Sequence, residues 1–380
     1  MRRDARVPRP MQIPLSKPDV RPEDIDAVNQ VLASSQLSLG PQTGAFENAL
    51  AEAVDRRFAV AVNSGTSALH LIVRALDIGP GDEVITTPFS FIASTTCLLF
   101  ENATPVFVDI DPTTLCIDPD LVEAAITPRT VAILAVDAFG HPADWHRLER
   151  IAAQHDLFLI EDSAESLGSK LNGKPCGAFG NAAVFGFYPN KQITTGEGGM
   201  VVTDDEALAD QFRSMANQGR GDDRWLNHVR LGYSYRLDEM SAALGVSQMK
   251  RIETIVAERA CVAEAYLEAM NDWDNVILPH VAPGVRMSWF VFVIRLADAF
   301  TRADRDRVID QLHARGIGCR DYFQPIHLQP FIAQALRTSR GQFPITEAIS
   351  DRTLALPFYS QMARHDVQTV VESLSSVLAK

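Results

Sequence analysis

From about residue 58 to residue 205, short apolar, β-rich runs alternate with amphipathic stretches, a pattern that predicts βαβ units. The runs are Phe58–Val62, Glu83–Thr86, Thr104–Val108, Val131–Val136, Leu157–Ile160, Ala182–Tyr188 and Gly199–Thr203. Between several of them lie helical patterns such as Ala68–Leu76 and Trp145–Gln154, the latter with Leu148, Ile151 and Ala152 on one face. Strands this apolar, separated by helices, belong to a largely parallel sheet covered on both sides. A long helical pattern then spans Arg236 to Met270, followed by a strand candidate at Phe290–Leu296 and helix candidates at Ala303–Arg315 and His365–Leu378. The expected architecture is α/β: a large domain over residues 14–255 and a smaller C-terminal α/β domain over residues 256–380.

Composition narrows the classes. Hydrophobic residues make up 46% and charged residues 22%, which excludes a mainly disordered chain. A net charge of −13 argues against wrapping nucleic acid or an anionic membrane surface, while a local nest of amides can still bind a phosphorylated small molecule. No apolar run approaches the roughly 18 residues of a membrane span, and the basic N-terminal stretch has no apolar core behind it, so neither a membrane anchor nor a secretory signal is expected. Five dispersed cysteines lack metal or redox spacing, so the expectation is a reduced, cytoplasmic chain with no metal site. Only six lysines occur (Lys17, Lys170, Lys174, Lys191, Lys250 and Lys380), which limits the candidates for amine chemistry.

Three loops carry that chemistry. Asn63-Ser64-Gly65-Thr66-Ser67 lies between a strand and a helix expected to begin near Ser67. Free amides, hydroxyls and the positive end of the helix dipole can make such a loop a phosphate cradle, although taken alone it reads first as an ordinary cap at Thr66 or Ser67. Asp162 closes an apolar strand, at the carboxyl end where α/β sheets bind ligands, while the adjacent Glu161 points to the other side and reads as structural. Lys191 follows an apolar strand and precedes a Gly-rich turn, a setting that tunes an amine for nucleophilic work. A phosphate cradle, a strand-end carboxylate to keep a pyridine nitrogen protonated and a lysine to form a Schiff base are what pyridoxal 5′-phosphate (PLP) needs.

The ordered segments SGTSAL, GDEVITTPFSFIAS, IEDSAESLG, FYPNKQITTGEGG and GYSYRLDEMSAALG resemble the DegT/DnrJ/EryC1/StrS aminotransferases. Further matches are Leu37–Pro41 and Pro325–Pro330, and the likeness runs from about Pro14 to the C-terminus. The resemblance implies the type I fold of PLP-dependent transferases, with a mostly parallel seven-stranded sheet in the large, PLP-binding domain. It implies Lys191 as the catalytic, cofactor-binding lysine and Asp162 as the partner of the pyridine nitrogen. Phe91 would lie against the ring face, and Gly65, Thr66 and Ser67 would hold the phosphate. Glu165, where many members have Gln or His, joins the cofactor-binding set. Ser234 and Arg236 would reach the phosphate from a second subunit of a homodimer, and His327 would lie close to substrate. The chain departs from the family at Ser234, often Asn, and at Gly186, often a phosphate-binding Ser. Its lysine counts against the dehydratase branch, which has His there. The implied activity moves an amino group, from L-glutamate, to a keto group of a nucleotide-linked sugar, with a 4-keto-6-deoxyhexose as the first choice. A cyclitol or other small keto substrate, or a non-catalytic regulatory role, fits the same motifs.

Overall fold

Seven strands form the main sheet of the computed structural model, which describes residues 12–221 and 226–379. From edge to edge they are Phe58–Val62, Gly199–Thr203, Ala182–Gly186, Phe158–Asp162, Thr130–Val136, Glu83–Thr86 and Thr104–Phe107. The last five run parallel, and Gly199–Thr203 is antiparallel to both its neighbours. Alternation along the edge strand shows how both faces are covered. Val60 and Val62 join the helix Gly65–Ala75 in one apolar cluster, whereas Ala59 and Ala61 pack with Phe46, Leu50 and Phe185 in another.

A second, antiparallel sheet of Val276–Ile277, Phe292–Leu296 and Thr353–Leu356 packs with Ile252–Met270 and Arg364–Leu378 around Tyr266, Phe292 and Leu374. The helical pattern from Arg236 to Met270 is not one helix. It breaks into Glu239–Met249 and Ile252–Met270 because Arg251 leaves helical geometry (φ −125°, ψ 19°) and its guanidinium is tied to Asp19 and Asp24. The apolar run Ala182–Tyr188 likewise ends as a strand at Gly186, since the Phe187 amide turns to the Gly198 carbonyl (3.0 Å).

The basic stretch Met1–Met11, Lys380 and residues 222–225 lie outside the described residues. No helix among the described residues is long and apolar enough to cross a membrane.

Candidate active site

The carboxyl ends of the parallel strands open onto a cavity of about 550 Å³ lined by Gly65, Thr66, Phe91, Asp162, Glu165 and Lys191, among others. One wall is the cradle. Its helix begins at Gly65, two residues earlier than expected, because Ser64 is the cap: its Oγ accepts from the Ser67 amide (3.1 Å). Ser67 is therefore engaged, with its hydroxyl on Asn63 Oδ1 (2.7 Å), and it does not line the cavity. The amides of Gly65 and Thr66 remain as first-turn donors facing it. Gly199 lets this loop approach the sheet, since a Cβ there would collide with the Ser64 carbonyl and the Gly65 nitrogen.

Asp162 ends its strand fully desolvated, and burial pushes its carboxyl up to about 7 from an ordinary 3.8. The bond from the Ala164 amide (3.2 Å) and the Lys191 charge pull the other way, while the Glu165 charge adds to the rise. Lys191 Nζ stands 3.4 Å from Glu165 Oε1 and 3.9 Å from the Phe290 ring centroid, with its side chain 14% exposed. Glu165 is held by the Phe139 amide (3.0 Å to Oε2), and burial raises its carboxyl above the usual range. Phe91 stands at the cavity wall with 63% of its surface open, as a flat apolar face.

Glu161 faces the opposite side of the strand, in a dry hub beneath the site. It accepts from the Gly177 and Phe179 amides (2.6 and 2.9 Å). Asp137 accepts on Oδ1 from the Ala143 amide and Trp145 Nε1 (3.0 and 2.8 Å). The single Ser163 hydroxyl proton lies between Asp137 Oδ2 (2.8 Å) and Glu161 Oε1 (2.7 Å), so one carboxyl must donate back. Burial pushes both carboxyls up, so the pair keeps one proton. Glu161 rises well above the usual carboxyl range, and Asp137, which gathers more donors (the Ala143 amide, Trp145 Nε1 and the Ser163 and Ser166 hydroxyls), rises less, so the proton is shared within the pair. Glu161→Gln, which sets an NH2 against a backbone N–H, is expected to lose roughly 2–3 kcal/mol in denaturant titration.

Other residues fall elsewhere. His327 is not brought to the cavity: its ring is fully buried with Nε2 on Glu347 Oε1 (3.0 Å), because Glu347 also gathers the Gly341 and Phe343 amides into one hub. Ser234 and Arg236 do not line their own chain's cavity; Arg236 Nη1 binds Asn217 Oδ1 (3.1 Å) and Ser234 is exposed. The cavity also uses Tyr188, Asn190, Phe290, Tyr322 and Phe323, which the motifs did not single out. Tyr188 and Asn190 flank the lysine and were within reach of the sequence; Phe290 read as a strand residue.

Comparison with known proteins agrees with this geometry. The chain is 38% identical over 334 residues to the GDP-perosamine synthase of Caulobacter vibrioides, covering 88% of this chain and 89% of that protein. S. venezuelae DesV superposes with a TM-score of 0.91 at 34% identity, covering 98% of this chain and all of that one. Streptococcus pneumoniae Spr1654, solved in a PLP form, gives 0.91 at 27% identity over 96% and 98% of the two chains. Residues 18–375 match the model of the DegT/DnrJ/EryC1/StrS aminotransferase family, and the chain belongs to that family as a PLP-dependent aminotransferase of fold type I.

Proposed function

We propose that this chain transfers an amino group from an amino-acid donor, L-glutamate, to the keto group of a nucleotide-linked 4-keto-6-deoxyhexose. The observation that carries the reading is one cavity lined at once by Lys191, Asp162 and the free first-turn amides of Gly65 and Thr66. A relative named GDP-perosamine synthase supports a nucleotide-sugar acceptor. PLP bound here supplies an electron sink and carries the amino group between the two half-reactions.

The residues supply the rest. Lys191 Nζ holds the cofactor and moves the proton between cofactor and substrate carbons. Asp162 keeps a pyridine nitrogen cationic. Phe91 lies against the ring, Glu165 steadies the lysine, and the cradle binds phosphate. Among the described lining residues Lys191 is the basic one, against Asp162, Glu165 and Glu197. A phosphorylated cofactor and a nucleotide acceptor therefore need positive charge from elsewhere, which supports a homodimer in which Arg236 and Ser234 serve the neighbouring site. Residues 14–255 form the large PLP-binding domain and residues 256–380 the small one in this reading. Five free cysteines support a cytoplasmic setting.

Half-reactions followed by absorbance test the acceptor. After conversion with glutamate, at least one of the UDP-, dTDP- or GDP-linked 4-keto-6-deoxyhexoses is expected to restore the starting spectrum, and scyllo-inosose is not. Restoration by scyllo-inosose alone would establish a cyclitol transaminase. No spectral change with any amino donor would mark a regulatory relative.

A further inference from the structure

Arg259 is 3% exposed in the helix Ile252–Met270, and its guanidinium is committed to main-chain oxygens. Nε donates to Trp289 O and Nη2 to Phe290 O, both at 2.7 Å, with the Phe358 ring 4.9 Å away. Burial lowers its pKa to about 10 against the opposing pull of the Asp19 charge, because no carboxylate contacts the guanidinium directly. The segment it grips is itself strained: Trp289 lies at φ +57°, in the left-handed region that bulky residues avoid. Surroundings that over-determine such a conformation point to a geometric requirement.

That requirement lies one residue on. Phe290 carries the ring that stands 3.9 Å from Lys191 Nζ. The strap Ser288–Phe290 is also tied to the lysine loop through Gln192 Nε2, which donates to Ser288 Oγ (2.8 Å) and to the Glu165 carbonyl (2.5 Å). Beneath it, a Cβ on Gly140 would sit 3.3 Å from the Phe290 nitrogen and 3.0 Å from the Glu165 carbonyl, so strap and turn are in close contact.

We propose that Arg259 is a positioning residue of the amine site: its fork fixes the Trp289 and Phe290 carbonyls so that the Phe290 ring holds Lys191 Nζ aimed into the cavity. This rests on Lys191 being the cofactor-holding amine. Arg rather than Lys is needed, because a point-charge ammonium cannot span two carbonyls in fixed geometry.

The test is the rate at which cofactor-free protein develops the absorbance of lysine-linked PLP in stopped flow. Arg259→Lys and Phe290→Leu are each expected to slow capture about tenfold, the scale of losing the attacking orientation of an amine. Phe290→Tyr, which keeps the ring, is expected to stay within twofold. The double variant R259K/F290L is expected to be no slower than Phe290→Leu alone, because both act through one ring. Capture at the wild-type rate in Arg259→Lys, or a multiplicative loss of about a hundredfold in the double variant, overturns the proposal. If Arg259→Lys does not fold, the Phe290 pair decides: wild-type capture by Phe290→Leu, or equal losses in both Phe290 variants, overturns it. Lys191→Ala separates the two levels, since normal capture without that amine refutes the reading of Lys191 whatever Arg259 does.

Discussion

Lys191→Ala is expected to abolish the near-visible absorbance of lysine-bound cofactor and to lower transamination on the order of 10⁴-fold or more. The reason is local. Among the described residues that line the cavity this is the lone amine, and it is fixed by Glu165 Oε1 at 3.4 Å and the Phe290 ring at 3.9 Å. No other lysine among the described residues lines the cavity: Lys17 is exposed near the N-terminus, Lys170 and Lys174 flank the Asn172–Gly173 turn, and Lys250 is exposed between two helices. The variant removes a surface-shielded cation rather than a core side chain, so the protein should still fold, and its melting curve provides the control. Wild-type turnover in that variant would refute the assignment.

The second large effect belongs to Asp162→Asn, expected to lower activity on the order of 10³-fold, the scale for removing a preorganised charge from a dry site. A cationic ring nitrogen beside the carboxylate returns its pKa toward the usual range; an amide cannot hold that cation. The same substitution has a signature without cofactor. Because the carboxyl sits at about 7 in the folded chain against 3.8 ordinarily, the native state keeps a proton that the unfolded state has lost between those values. Stability contributed by this group therefore falls as pH rises from about 4 to 7, by up to about 1.4 kcal/mol per unit. Glu165 and the Asp137–Glu161 pair add slopes of the same sign, so the readout is the difference between wild type and Asp162→Asn. Denaturant titrations across that range should show a shallower decline in the variant, and parallel curves would contradict the desolvated picture of Asp162.

Much of this arrangement was legible from the chain because it is written in local signals. Apolar runs bounded by turns marked all seven strands of the main sheet, and a strand end places a residue such as Asp162 without knowledge of its partners. What stayed hidden depends on contacts distant in sequence. The break at Arg251 follows from carboxylates at Asp19 and Asp24, more than two hundred residues away, and nothing in the helical periodicity announces it. The Ser64 cap differs from the alternatives Thr66 and Ser67 only by where the helix starts, a matter settled by packing against Gly199. His327 drew attention as a loop histidine in a family motif, but its partner Glu347 sits on a later helix. Phe290 read as strand core, and its approach to Lys191 comes from the meeting of the two sheets' territories.

The bond from the Phe187 amide to the Gly198 carbonyl also closes the segment bearing Lys191 on itself, with the Thr195 amide and the Thr194 hydroxyl both drawn back to the Phe187 carbonyl. The reactive nitrogen is thus mounted on a ring of fixed circumference, clasped at its neck. Lengthening that ring by a single residue would leave the sheet intact and yet displace either the amine or the neck. Inserted sequence is better tolerated at the Asn172–Gly173 turn, where length has no bearing on where the nitrogen sits.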